Sequence, residues 1–446
     1  MIVIVLVLKN YSRAGTSRRD LFGRLSPHLA RRGDGLIWIA VQDECGPKRR
    51  LEGIFIMTDQ PNLDRRDFML ATIGGAAASV ALSSDHAAAQ TAAARLPGGT
   101  IYTGDVIHEK PVVSALGVAD LEPGKLHRLY FRGVEGPSGQ PWLVSVAVLR
   151  GAKPGRRITL VSGVHGDEMS SIHAVQTIMN GLDPAVMSGT VMAVFDVSRP
   201  AIESMGRRWP NSGRGTDLVD LNRVWPGDED GPGAPARHAG LLFNRLIRPN
   251  SDYVLDFHTG TTGIDATAFH LADMTVPEVR AMAELFPIDQ IFDSTGYPGL
   301  LTEALSRVGI PAFTPEIGNA RSLDLSMIPL FVEGTMNVLK LHGIIAGPIG
   351  RTGRDTKIFV GNALVPVLAT EGGIVEHLVQ LADAVSTGQK IALQRNMFGE
   401  IVAEYSSPVD GEIGGLRSDA TSEPGNVICF ILFNRPAPVE DEAYPE

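Results

Sequence analysis

From Ile158 to about Gly343, apolar β-type runs and helical patterns take turns along the chain. The run Ile158-Thr159-Leu160-Val161 is followed by a helical pattern from Ser170 to about Asn180, and then by Val191-Met192-Ala193-Val194-Phe195. A helix around Ala239 to Ile247, a strand over Tyr253-Val254-Leu255-Asp256-Phe257, and helices near Pro277 to Leu285 and Gly299 to Val308 continue the series. Strands spaced by helices of this kind require an α/β domain, in which a largely parallel or mixed sheet is flanked by helices.

Two stretches of different character border this region. Between Thr100 and Val161, short β-rich runs such as Leu143 to Val148 alternate with Gly/Pro turns, which reads as further strands. From Lys357 onward, short β-runs are separated by turns at Gly361-Asn362, Glu371-Gly372-Gly373, Val409-Asp410-Gly411 and Pro424-Gly425, so a small C-terminal all-β domain is expected. The expected organisation is a catalytic domain over 97–345, a β domain over 355–436 and an acidic tail over 437–446.

The N-terminal part reads as targeting sequence. Arg65-Arg66-Asp67-Phe68-Met69, a modestly apolar run from Leu70 to Leu82, and Ala87-Ala88-Ala89 have the order of a twin-arginine (Tat) signal peptide, which implies a periplasmic or secreted protein. Met57 stands a short polar stretch before the arginines, so residues 1–56 are expected to be an upstream extension and 57–95 the signal region. No apolar stretch reaches the ~18 to 20 residues of a membrane-spanning helix, so no integral membrane segment is expected in the mature chain.

Composition narrows the chemistry. The 446 residues include only two cysteines, Cys45 and Cys429, so any metal must be held by histidines and carboxylates. A formal net charge of -10 and the lack of a long basic run argue against nucleic acid as a partner.

Four segments carry candidate chemistry. In Val161-Ser162-Gly163-Val164-His165-Gly166-Asp167-Glu168, His165 and Glu168 lie in the turn between an apolar strand and a helix, where three-residue spacing can aim an imidazole and a carboxylate at one point. In Asp256-Phe257-His258-Thr259-Gly260 a strand ends in a histidine, and ligands collect at the carboxyl ends of strands in open α/β sheets. Two histidines and one carboxylate with a fourth position for water form the ligand set of catalytic zinc, and the same set suits Fe(II). Glu316, in Pro315-Glu316-Ile317-Gly318, again follows a short apolar run and could move a proton between water and a leaving nitrogen. Finally, Asn222 and Arg223, in Asp217-Leu218-Val219-Asp220-Leu221-Asn222-Arg223, could clamp a substrate carboxylate. Each segment alone has an ordinary structural reading as well, from helix-start carboxylate to surface ion pair.

Taken in order, the four segments resemble the succinylglutamate desuccinylase/aspartoacylase family of the zinc carboxypeptidase clan, with its Gly-x-His-Gly-x-Glu, Asp-Leu-Asn-Arg, Asp-x-His and Glu-x-Gly motifs. The resemblance covers roughly Leu143 to Gly343 and, more loosely, the β-rich C-terminal part. It implies one Zn2+ per chain held by His165, Glu168 and His258. Glu316 would act as general base and then acid, and Asn222 with Arg223 would hold the substrate carboxylate. Arg207 is the best match for the arginine that polarises the scissile carbonyl, with Arg208 and Arg214 as alternatives because Asn211 to Thr216 looks like an insertion. His173 and His270 could serve behind the ligands or simply pack; His108, His127, His238, His342 and His377 read as structural.

The implied activity is that of a zinc-dependent deacylase acting on a small N-acyl amino acid, a related amide or an ester. The rivals are an exported metallocarboxypeptidase acting on peptides, and a non-catalytic periplasmic binding protein.

Overall fold

The computed structural model describes residues 30–31, 37–38, 99–211 and 217–436. The twin-arginine segment, Ala89, Arg214 and the acidic tail lie outside the described residues. In the N-terminal unit, Met1–Thr91, Ala30–Arg31 pairs antiparallel with Ile37–Trp38. The rest of the chain, Ala92–Glu446, forms one compact unit.

Eleven strands of that unit make one sheet. They are β1 (Ile101–Ile107), β2 (Lys110–Ala115), β3 (Lys125–Glu135), β4 (Pro141–Arg150), β5 (Lys153–Val161) and β6 (Ser188–Val194). The remainder are β7 (Tyr253–Asp256), β8 (Phe269–Ala272), β9 (Gln290–Asp293), β10 (Ala312–Glu316) and β11 (Phe359–Gly361). Their order across the sheet is β11-β9-β8-β10-β7-β5-β6-β4-β3-β2-β1. At its centre β10, β7, β5 and β6 run parallel, while β8 on one side and β4 on the other are antiparallel to them, so the sheet is mixed.

The central strands read as continuous apolar runs because both sheet faces are covered. Along β6, Val191 and Ala193 join one hydrophobic core, and Met192 and Val194 join the other on the opposite face. The first core holds the helices Met169–Asn180 and Ile328–Leu341, and the second holds the helices Ala234–Leu242 and Leu301–Arg307. Among the described residues no helix is long and apolar enough to cross a membrane.

The C-terminal segment builds two smaller antiparallel sheets. Ala363–Leu368, Val427–Phe433 and Gly411–Arg417 form most of one, and Gly373–His377, Lys390–Arg395 and Ile401–Ser406 form most of the other. The change of sequence character at Lys357 is crossed in both directions. Phe359–Gly361 completes the large sheet by pairing with β9, whereas Ile264–Ala266, from the middle of the α/β region, pairs with Gly411–Arg417.

His270 belongs to this packing rather than to the ligand cluster. Its ring meets Phe286, Phe313 and Phe331 edge-on, its Nε2 has no hydrogen-bond partner, and burial pushes it down to about 3. The folded state therefore holds this ring neutral, while the unfolded chain protonates it near pH ~6.5. Its contribution is fully present above that pH and is lost as pH falls toward 3. Replacing His270 with Phe should flatten the decline of urea-unfolding stability between pH 6.5 and 4, by on the order of a few kcal/mol at the acid end.

Candidate metal centre

The site follows from the register of three neighbouring strands. β7 pairs in parallel with β5 through Asp256↔Val161 and with β10 through Leu255↔Phe313, so all three end at the same level. The residues that follow, His165 after β5 and His258 after β7, emerge beside Glu316 at the end of β10. This is the crevice at the carboxyl ends of parallel strands where α/β sheets collect ligands.

Local chemistry then sets each side chain. Gly163 adopts φ +70°, a conformation glycine takes without strain, and turns the chain out of β5. A Cβ on Gly166 would lie 2.0 Å from the carbonyl carbon of Ala201, so only glycine lets the turn carrying His165 pack this tightly. Glu168 occupies the N-cap position of the helix Met169–Asn180, but its carboxylate turns inward instead of capping. The backbone N–H of His258 donates to Pro315 O at 2.8 Å and that of Ile317 donates to His258 O at 3.0 Å, which stitches the His258 and Glu316 turns together.

His165, Glu168 and His258 are all buried, and one ligand atom from each lies within 4.8 Å of the others. His165 Nδ1 is 2.8 Å from Glu168 Oε1, and His258 Nδ1 is 2.9 Å from Glu168 Oε2. The two Nδ1 atoms are 3.0 Å apart. The outer nitrogens are held from behind by carboxylates: His165 Nε2 lies 2.9 Å from Asp220 Oδ1, and His258 Nε2 lies 3.1 Å from Asp256 Oδ2. With each Nε2–H donated outward, both Nδ1 lone pairs face the centre beside a carboxylate, and that donor set calls for a cation between them. Two histidines and one carboxylate with an open side fit catalytic zinc.

The electrostatics agree. Burial disfavours the charged form of His258, but Asp256 and Glu168 outweigh it and lift the imidazole well above its ordinary range. Burial likewise opposes ionisation of Glu168, yet the adjacent His165 and His258 hold its carboxyl well below the usual carboxylate range. Glu316 behaves oppositely, since burial pushes it up to about 8, and its Oε2 has no partner.

Arg207 reaches the centre. Its Nη1 donates to Glu168 Oε1 at 2.8 Å, and its Nε is 3.6 Å from Asp220 Oδ2. Arg208 is exposed and does not line the cavity. Arg207 and Asp220 stand at the open end of a small hairpin in which Trp209–Asn211 pairs antiparallel with Asp217–Val219. Asn222 Oδ1 accepts from Leu301 N at 3.0 Å, which fixes the amide 3.3 Å from His258 Nε2. Arg223 lines the same cavity, with its guanidinium 4.7 Å from the Tyr297 ring centroid.

Residues 154–342 match the sequence profile of the succinylglutamate desuccinylase/aspartoacylase catalytic domain, and every residue of the centre falls inside that span. Over that span the chain is similar to the succinylglutamate desuccinylase/aspartoacylase family. It is a zinc hydrolase of the desuccinylase/aspartoacylase type. The chain is 28% identical over 300 residues to the N-alpha-acetyl-L-2,4-diaminobutyric acid deacetylase of Halomonas elongata, covering 65% of this chain and 85% of that one. The fold is similar to that of succinylglutamate desuccinylase/aspartoacylase from Rhodobacter sphaeroides, with TM-score 0.60, 22% identity, and coverage of 71% and 98% of the two chains. The product-bound ectoine utilization protein of Ruegeria pomeroyi is similar too, with TM-score 0.61, 20% identity, and coverage of 70% and 96%.

Sequence reasoning on the motifs quoted Asp220 and Asp256 but gave them no role. For Asp256 the available signal was its place two residues before His258, because ligating imidazoles nearly always donate their second N–H. His173 bonds Thr177 Oγ1 on its own helix at 3.1 Å, outside the centre.

Two outcomes are expected. Metal analysis of the purified protein should give about one zinc per chain, lost in Glu168→Ala and His258→Ala. Asp256→Asn keeps all three ligands, so it should weaken zinc roughly 10- to 100-fold in chelator competition rather than abolish binding.

Proposed function

We propose that this zinc hydrolase removes the acyl group from a small N-acyl amino acid. The observation that carries the reading is a buried carboxyl, Glu316, pushed up to about 8 beside the His-Glu-His cluster, in a cavity that also holds Arg223. A carboxyl poised near neutral pH suits a group that must both take and return a proton.

Zinc held by His165, Glu168 and His258 supplies a Lewis acid for the scissile carbonyl and makes a water nucleophilic at neutral pH. Arg223 binds the substrate carboxylate as a guanidinium fork, positioned by stacking on Tyr297. Glu316 accepts a proton from the attacking water as the new C–O bond forms. It then returns that proton to the nitrogen as the C–N bond breaks, giving a carboxylate and a free amine. Arg207, whose charge is retained because Glu168 and Asp220 outweigh its burial, faces the charge that develops on the carbonyl oxygen. The Halomonas relative, a deacetylase of an acetylated amino acid, supports this substrate class.

A metallocarboxypeptidase would use the same centre on peptides. The two readings separate on a panel of N-acyl amino acids and dipeptides assayed with zinc-loaded protein: the deacylase releases free amino acid from the former only. Glu316→Gln should lower kcat by about 10²- to 10⁴-fold while retaining zinc. Arg223→Ala should raise KM about tenfold with a smaller effect on kcat, since it removes a carboxylate contact present in ground and transition state alike. Turnover unchanged in Glu316→Gln would rule out the proton-transfer role.

A further inference from the structure

The cavity of about 190 Å³ at the metal centre continues past Glu316 across the face of the large sheet. Glu316 pairs across strands with Phe269, and Phe269 pairs with Gln290. One step along, Thr314, Leu271 and Phe292 form the parallel row. All six side chains line the cavity, and successive cross-strand neighbours lie only ~5 Å apart, so the floor beyond the catalytic carboxyl is mainly aromatic and aliphatic.

The opposite wall comes from the C-terminal sheet through Leu364, Phe430 and Leu432. Space between floor and wall is kept open by Gly414 and Gly415, at a register shift in Gly411–Arg417. A Cβ on Gly414 would meet Gln290 Oε1 at 3.3 Å and Leu364 Cδ1 at 3.9 Å, both atoms of cavity-lining residues. Gln290 offers the cavity no free N–H, because its amide donates to Glu412 Oε2 at 3.1 Å and Ile413 O at 3.4 Å. Its Oε1 accepts from Thr267 at 2.8 Å.

The charges of the lining are already committed. Among the described residues the acidic, basic and imidazole lining groups are His165, Glu168, Arg207, Arg223, His258 and Glu316. Arg207 is held by Glu168 at 2.8 Å and Asp220 at 3.6 Å, the half-exposed Arg223 is the looser cation at 3.9 Å from Asp220, and the others belong to the centre. That leaves one cation for one substrate carboxylate, with no second cation for a dicarboxylate and no spare carboxylate for a side-chain amine. An apolar cavity of ~150 Å³ accommodates benzene.

Resting on the deacylase reading, we infer that the preferred substrate is an N-acyl amino acid with a single carboxylate and one apolar substituent, between isobutyl and phenyl in size. The apolar group sits on either the acyl or the amino-acid side of the scissile bond, and the two sides are separate arms of the test.

Zinc-loaded enzyme is assayed for kcat/KM on N-acetylglycine as reference. One arm uses N-isovalerylglycine and N-benzoylglycine, and the second uses N-acetylleucine and N-acetylphenylalanine. N-acetylaspartate and N-acetyl-2,4-diaminobutyrate probe a second charge. At least one apolar arm should exceed the reference by about tenfold or more, and both doubly charged substrates should fall below that arm. Gly414→Leu should lower the ratio of the preferred apolar substrate to N-acetylglycine, reporting on the cavity rather than on folding. Fastest turnover of a doubly charged substrate, or no gain in either apolar arm, overturns the inference while the deacylase reading stands. Absence of hydrolysis across the whole panel by zinc-loaded protein sinks the deacylase reading itself. Calorimetric titration of Glu316→Gln with N-benzoylglycine and N-acetylphenylalanine then still decides the cavity: tighter binding than N-acetylglycine supports it, and equal or weaker binding refutes it.

Discussion

The parallel register of β5, β7 and β10 is the constraint on which the centre depends. Three strands locked side by side deliver the residues that follow them to one place, and the backbone bonds between the His258 and Glu316 turns set the spacing of those two side chains. Each face of these strands packs into its own core, so a one-residue slip would exchange the side chains of the two cores and displace the residues at the strand ends. The packing that stabilises the sheet thus also holds the ligands within bonding range of one another.

Carboxylates bring order to the centre at a second level. Asp220 and Asp256 hold the two imidazoles from behind and choose which nitrogen faces inward, while Asp220 also engages Arg207 and accepts the Asn222 N–H. A negative ring around two imidazoles favours a cation inside it. The same ring retains the charge on Arg207, while burial pushes Glu316 up to about 8.

Much of this was legible in the chain. The continuous apolar runs ending in His258 and Glu316 gave both the strands and the site, since the motif residues come directly after the runs. Asp220 was hidden because nothing in its distance along the chain from His165 says that it will face that imidazole. The apolar wall formed by Leu364, Phe430 and Leu432 was hidden for a different reason. Leu364 lies in an alternating strand and Phe430 and Leu432 in a continuously apolar one, and neither pattern says which residues will face the large sheet. The antiparallel pairing of Trp209–Asn211 with Asp217–Val219, which brings Arg207 back beside Asp220, was not legible from the spacing of the two segments.

The exchange of strands between the large sheet and the C-terminal sheets constrains movement. A lid joined by one linker can swing about a hinge, but here Phe359–Gly361 is built into one sheet and Ile264–Ala266 into the other. Opening the two layers as rigid bodies would break ladder hydrogen bonds at both crossings. The two layers therefore keep a fixed spacing around the cavity that they share, and its width is set by the fold rather than by a hinge.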